Sequence, residues 1–322
     1  MTETTKIWLI IAASLVLAGG ILFVCVMSTL GWDFAKLSTA KYETNTYEIA
    51  EAFRDIAITT DRAHIKFALS EDGTCKVECY EEENAKHSVT VENDALVVRI
   101  NNQKAWYDYI GFHFGSPKIT VYLPKAEYNA LSIDGSIGNV EIPKNYLFEN
   151  ANISLSTGNV NFYSPVSKLV KIKTSTGNIC VENTSAGSID LSVTTGKVTV
   201  SGVTCQDDIT VGVSTGHTDL TDISCKSVVS SGTTGSISLS NVIAANKFSI
   251  ERSTGYVKFS GCDADDIYVK TNTGNVTGSF LSNKVFITDT DVGSVDVPKT
   301  ITGGRCEIRT DTGDIKIKID GI

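Results

Sequence analysis

Residues 153–161 read ISLSTGNVN and residues 172–180 read IKTSTGNIC, so the turn STGN returns after nineteen residues. Outward from this pair the same signal recurs as SIGNV, STGNV, STGNI, TTGKV, STGHT, TTGSI, STGYV, NTGNV, VGSV and DTGDI. Its glycines are Gly138, Gly158, Gly177, Gly196, Gly216, Gly235, Gly255, Gly274, Gly293 and Gly313, always 19 or 20 residues apart. Self-similarity at such a period marks a solenoid, in which one coil cannot bury its apolar face without its neighbours.

Two residues after each glycine stand Val140, Val160, Ile179, Val198, Thr218, Ile237, Val257, Val276, Val295 and Ile315. Five residues before it stand Ile133, Ile153, Ile172, Leu191, Val211, Ser230, Ile250, Val269, Thr288 and Ile308. Around these two mainly apolar columns the chain alternates with period two, as in KLVKIKT, which is the pattern of strands and not of helices. The predicted fold is therefore all-β: a single-stranded parallel β-helix, or β-solenoid, with coils of 19–20 residues. Ten coils at strand spacing would make a rod about 45–50 Å long. Threonine precedes the glycine in eight of the ten coils, and its stacked hydroxyls are expected to satisfy one another, while the glycine takes a corner with positive φ.

Residues 46–130 lack the repeat glycine but keep alternation in DIAITT, HIKFAL, KVECY, ALVVRI and ITVYL. They are expected to form a β cap or first coils over the open end of the rod. The organisation read from the chain is an anchor over 1–32, a linker over 33–45, the cap over 46–130 and the solenoid repeats over 131–322. The anchor is predicted because Ile7 to Leu30 carries no charge and is bracketed by Trp8 and Trp32. As a helix it would span about 36 Å, enough for a bilayer, and indoles favour both interfaces. A cleaved signal peptide would have a shorter apolar region and a small-residue cleavage site. Lys6 on one side faces Lys36 and Lys41 on the other, so charge does not decide the orientation.

The non-repetitive segments KIWLII, GWDFAKLSTAKYETNTYEI and WYDYIGFHFGSPKITVYLPK, with the repeated STGNV turns, resemble the DUF4097 family of adhesin-like membrane proteins from Firmicutes, largely Clostridia. The resemblance covers nearly the whole chain. It implies a right-handed β-helix outside the cytoplasm, an N-in single-pass anchor and a cell-surface role without a defined ligand. It supplies no catalytic residues.

A net charge of −9 excludes a nucleic-acid binder, which needs clustered Lys and Arg. Gly212-Val213-Ser214-Thr215-Gly216 matches the nucleophile-elbow pattern. Yet Ser214 occupies the same repeat slot as Ser156, Ser175 and Ser253, and the motif needs a strand-to-helix turn with His and acid partners. His64, His87, His113 and His217 share no metal-ligand spacing and default to surface or loop positions. Asp291 and Asp311 should stack one coil apart, as a solvated acidic face or, in the sharper reading, a calcium bridge. Cys75 and Cys79 are too far apart along a strand for a disulfide and read as small core residues. Cys205 and Cys225 should stack as a reduced pair. No metal or cofactor is expected.

The aromatic run Trp106, Tyr107, Tyr109, Phe112 and Phe114 breaks the solenoid rhythm. It reads either as a plug for the first coil or as a recognition patch. Three functional classes stay open: a surface interaction or structural protein, a regulatory envelope protein acting through a partner, and a polysaccharide-acting β-helix enzyme. The first is favoured, as a monomer with membrane, glycan, matrix or envelope protein as partner.

Overall fold

The computed structural model describes residues 2–37, 40–104, 106 and 115–320. Helix α1 (Glu3–Thr29) opens with the Thr2 hydroxyl accepting from the Thr5 N–H, and stops where Gly31 and Trp32 take positive φ. Its sides are apolar all round and exposed, as at Ile7, Leu15 and Leu22. A helix without a polar face has no amphipathic packing to offer a soluble core. With 27 residues and a mean hydropathy of 2.8 it is long and apolar enough to cross a membrane.

Strands β1 (Tyr42–Ile49), β2 (Asp55–Arg62), β3 (His64–Leu69), β4 (Cys75–Glu82), β5 (Ala85–Glu92), β6 (Ala95–Asn102) and β7 (Lys118–Leu123) precede the glycine-marked coils. Next come β8 (Glu127–Ile137), β9 (Val140–Ile142), β10 (Leu147–Thr157), β11 (Val160–Phe162), β12 (Val166–Thr176), β13 (Ile179–Glu182), β14 (Ser185–Thr195), β15 (Val198–Cys205) and β16 (Asp208–Thr215). The last are β17 (Thr218–Thr234), β18 (Ile237–Thr254), β19 (Val257–Thr273), β20 (Val276–Phe280), β21 (Lys284–Val292), β22 (Val295–Asp296), β23 (Gly304–Thr312) and β24 (Ile315–Ile319). Strand β1 begins at Tyr42, so the end of the expected linker is already paired, antiparallel, with β4.

The fold is the predicted parallel β-solenoid. Equivalent residues stack in register, for example Ile153 between Ile133 and Ile172, and Val160 between Val140 and Ile179. The two apolar columns line one continuous core, in which Phe162, Phe248, Phe259 and Phe280 are among the bulkiest buried side chains.

The corner glycines explain the period physically. Gly177 has φ +144°, and a Cβ on it would lie 1.9 Å from the carbonyl oxygen of Gly158. Backbone thus stacks on backbone at this corner, leaving no room for a side chain. The ladder of side chains expected from the threonines lies one residue beyond the glycine instead. Asn139 Oδ1 accepts from the Asn159 N–H, Asn159 Oδ1 from the Asn178 N–H, and Asn178 Oδ1 from the Lys197 N–H, each at 2.9 Å. The threonines contribute carbonyls, as when Thr176 O accepts from the Gly158 N–H. Among the described residues their hydroxyls do not bond one another.

Stacking order departs from chain order at both ends. At the front, β2 and β3 form a coil in which Ala63 stands in the glycine column, with Ile58 beside Ile133 and Ile65 beside Val140. Later in the chain, β6 and β7 lie on its outer side, parallel to β2 and β3. Antiparallel strands extend this end: β5 on β6, β4 on β7 and β1 on β4. At the far end, β23 and β24 insert between the coils of Gly274 and Gly293, pairing with β19 and β20 on one side and β21 and β22 on the other. The Gly293 coil is therefore outermost. Its column residues are uncovered, with Val295 45% exposed where its counterparts Val276 and Ile315 are fully buried.

Candidate functional site

Two outward strand columns, four and two residues before each repeat glycine, and one break in the wall make a groove of about 390 Å³ on the side of the rod. It runs across the coils of Gly196 to Gly274. Its walls carry the hydroxyls of Ser192, Ser214, Ser231, Thr233 and Ser253, with Asn272, Glu251 and Lys270 at one end. Gly212 opens the outer wall: a Cβ there would meet nothing nearer than 4.0 Å.

On the core side of this wall lies a charge. Arg252 falls three residues before its repeat glycine, an inward position filled by Val193 and Val213 in earlier coils, and it is 4% exposed. Its Nη2 donates to Ser230 Oγ at 2.8 Å and to Thr218 Oγ1 at 3.4 Å, and its Nη1 donates to Glu251 O at 3.0 Å. Gly232, stacked beside Arg252 in the same inward column, makes room for the guanidinium: a Cβ on it would lie 2.9 Å from Nη1 and 2.5 Å from Val213 O.

Ser230 and Thr218 are thus two of the residues that interrupt the apolar columns, and both serve this one side chain. No carboxylate pairs with Arg252 among the described residues, and its Nε–H and second Nη1 hydrogen have no protein acceptor there. Burial pushes its pKa down to about 10, which leaves it charged at neutral pH. A buried charge without a counter-charge is destabilising by several kcal/mol. Valine, as in the preceding coils, would pack the core at no such cost.

A second polar cluster lies in the cap. His87 is buried, not at the surface position expected for it: its Nδ1–H donates to Glu81 Oε2 at 2.6 Å and its N–H to the same oxygen at 2.7 Å. Nε2 lies 2.9 Å from Thr60 Oγ1, Asn45 Nδ2 donates to Glu81 Oε1 at 2.8 Å, and Cys79 Sγ is close by. Cys79, Glu81 and His87 are a metal-ligating set by type, with ligand atoms within 4.8 Å of each other. Their hydrogen bonds, however, already satisfy imidazole and carboxylate, fastening β1, β2, β4 and β5 together. The β4–β5 hairpin brings Glu81 to His87, a proximity that ligand-spacing rules do not capture.

The remaining sequence candidates place as follows. Trp106 is exposed, while Tyr107, Tyr109, Phe112 and Phe114 lie outside the described residues, as does His113. Asp291 and Asp311 stack in adjacent coils and are both exposed. Cys75, Cys79, Cys205 and Cys225 are buried free thiols. Ser214 lies on β16, in a groove with no histidine in its walls.

A family model described as Toastrack DUF4097 matches residues 53–217, from the first coil through the Gly216 turn. The chain belongs to the Toastrack DUF4097 family. Crystal structures similar to this Toastrack chain include a candidate adhesin from Bacteroides fragilis, at 17% identity and a TM-score of 0.43, covering 88% of this chain and 99% of that one. Another candidate adhesin, from Parabacteroides distasonis, has 13% identity and a TM-score of 0.48, with 86% and 98% covered. A protein described as a candidate lipid binder, also from Parabacteroides distasonis, has 16% identity and a TM-score of 0.48, with 86% and 97% covered. No curated protein matches the Toastrack chain.

Proposed function

We propose that this protein is a non-catalytic recognition rod of the cell envelope, held by α1 in the membrane with the solenoid outside the cytoplasm. The observation that carries the reading is the hydroxyl-walled groove crossing five coils, in which, among the described residues, no hydrogen bond joins a hydroxyl to Glu251 or Lys270. Its walls offer repeated donors and acceptors along the rod axis and more polar than apolar surface, which suits an extended, hydroxyl-rich polymer better than an acyl chain. The apolar, coreless α1 supports the anchor, and the adhesin names of the structural neighbours agree with a surface role.

Two measurements test it. Protease added to cells stripped of their wall is expected to remove the domain after residue 37; full protection would refute the orientation. The full chain in detergent micelles is expected to sediment with envelope polysaccharide fractions, and Gly212→Trp, which fills the groove from an open exterior position, is expected to abolish this. Sedimentation that Gly212→Trp leaves intact, or none at all, would refute the groove as the recognition surface.

A further inference from the structure

We propose that a cavity over Ser236 takes one N-acylated amino sugar, its acetamido group completing a broken side-chain ladder and its ring packed against Tyr256. The site lies on the far side of the Thr-Gly corner from the groove, and it does not rest on the recognition reading.

One residue beyond the repeat glycine, the backbone N–H is bonded by a side chain of the neighbouring coil. Asn139, Asn159 and Asn178 accept in this way. So do Ser236 Oγ from the Tyr256 N–H, Asn275 Oδ1 from the Asp314 N–H and Asp314 Oδ1 from the Ser294 N–H. The ladder breaks at Lys197, His217 and Tyr256, whose side chains are exposed. Lysine has no acceptor to give. Among the described residues, the N–H groups of His217, Ser236 and Asn275 are therefore left without a protein acceptor.

Two of these three residues, His217 and Ser236, line a cavity of about 210 Å³ together with Lys197, Asp219, Ser238 and Tyr256. Drug-sized ligands occupy roughly 300–1,000 Å³, so this space suits a single ring. Ser236 is its floor, 7% exposed, with His217 and Tyr256 standing higher in the coils on either side. The Ser236 oxygen already accepts from the Tyr256 N–H, and its own hydrogen has no acceptor among the described residues.

The group missing from the ladder here is the carboxamide that asparagine supplies in earlier coils. An acetamido carbonyl is the same acceptor and would take the Ser236 N–H. Its amide N–H needs an acceptor in turn, and Asp219 offers one: Lys197 holds Oδ2 at 2.6 Å, while Oδ1 has no donor among the described residues. Lys197 and Asp219 offset each other, so the site has no cation to spare for a carboxylate, and the chain's −9 gives an anion no long-range attraction. The Ser236 and Ser238 hydroxyls beside the half-exposed Tyr256 ring suit a hydroxylated ring with an apolar face better than a peptide.

The test is calorimetric titration of the full chain, in micelles of a detergent without a sugar head group. The ligands are the trimer of N-acetylglucosamine and the glucose trimer of the same linkage. The acetylated trimer is expected to bind about 10- to 100-fold more tightly, the range that one neutral and one charge-assisted hydrogen bond supply. His217→Asn returns the ladder's own acceptor and is expected to erase the preference without lowering the melting temperature. Tyr256→Ala, at an exposed position, should weaken both trimers. Gly212→Trp fills the groove and should alter neither, which keeps failure here distinct from failure of the groove.

Equal binding of the two trimers, or binding of neither, would overturn the proposal. So would a preference that survives His217→Asn in a folded protein, or binding that Tyr256→Ala leaves unchanged. Loss of acetylated-trimer binding in Gly212→Trp would move the ligand to the groove and overturn the site. N-acetylalanine methylamide binding as tightly as the acetylated trimer would show a general amide site and overturn the assignment to a sugar.

Discussion

Replacing Gly196 by Ala probes the stacked corner directly. Gly196 has φ +149°, and a Cβ there would lie 1.9 Å from the carbonyl oxygen of Gly177. Real Cβ atoms do not approach within 3.0 Å, so the coils must part by about 1.1 Å at this corner. That movement stretches the bonds from the Gly177 N–H to Thr195 O, from the Ile179 N–H to Lys197 O and from the Lys197 N–H to Asn178 Oδ1, now 2.9–3.0 Å. Losing two or three of them costs about 2–3 kcal/mol at roughly 1 kcal/mol each. Holding a non-glycine residue in this conformation adds about 1–3 kcal/mol. The expected destabilisation is therefore about 3–6 kcal/mol, concentrated at one interface because each coil touches only its neighbours. Gly212→Ala is the matched control, with nothing nearer than 4.0 Å to its Cβ and no positive φ; it should cost no more than about 1 kcal/mol. Urea unfolding of the full chain in micelles, followed by far-ultraviolet circular dichroism, gives the difference, and limited proteolysis should reveal a new cut near residue 196. A Gly196→Ala protein within about 1 kcal/mol of the Gly212→Ala protein would refute the argument that the corner excludes a side chain.

Val257→Asp places a carboxylate in a fully buried column position and is expected to cost more than about 3 kcal/mol, whereas Tyr256→Asp, at a half-exposed outward position, should change little; equal losses in the same urea assay would refute the assignment of faces. Burial pushes the thiols of Cys75, Cys79, Cys225 and Cys306 up to about 12 from an ordinary value of 9.0. The folded state therefore holds protons that the unfolded state releases. Their contribution to stability is complete below about pH 9 and is lost as pH rises toward about 12. Melting at pH 8, 9.5 and 11 should show a progressive fall that is smaller in Cys79→Ala, and a pH-independent difference between the two proteins would count against it.

Much of this fold was legible in one feature of the sequence, the glycine every nineteen or twenty residues, because a backbone-on-backbone corner tolerates no other residue. The columns around it gave the inward face for the same reason: a parallel stack repeats its contacts. The first coil was hidden because Ala63, which lacks the positive φ of the corner glycines, stands in the marker position. The exchanged layers at the far end left no trace, since the repeat fixes the shape of a coil and not which coil it rests on. Arg252 was legible only in retrospect. Thr218 and Ser230 stood out as breaks in two separate columns, and nothing in their spacing tied them to an arginine 34 and 22 residues further on. The aromatic segment, singled out for its composition, lies mostly outside the described residues, and its role stays a proposal that Trp106→Ala can probe by attachment assays.

The exchanged layers impose a timetable on a growing chain. The central coils can be laid down as they emerge, each upon its predecessor. The Gly293 coil cannot: its seat is the coil of Gly313, which has not yet been made when residues 284–296 are complete. It must either wait without a partner or rest for a time on the coil of Gly274 and then give way. At the front, β2 and β3 appear first and wait for β6 and β7 on one flank and for β8 and β9 on the other. Each end of the rod therefore closes in a single late event, when a segment enters between two layers or a layer is laid over one already formed. At each end one coil, β2–β3 or β23–β24, is sealed inside the stack by strands that lie nearer the middle of the chain.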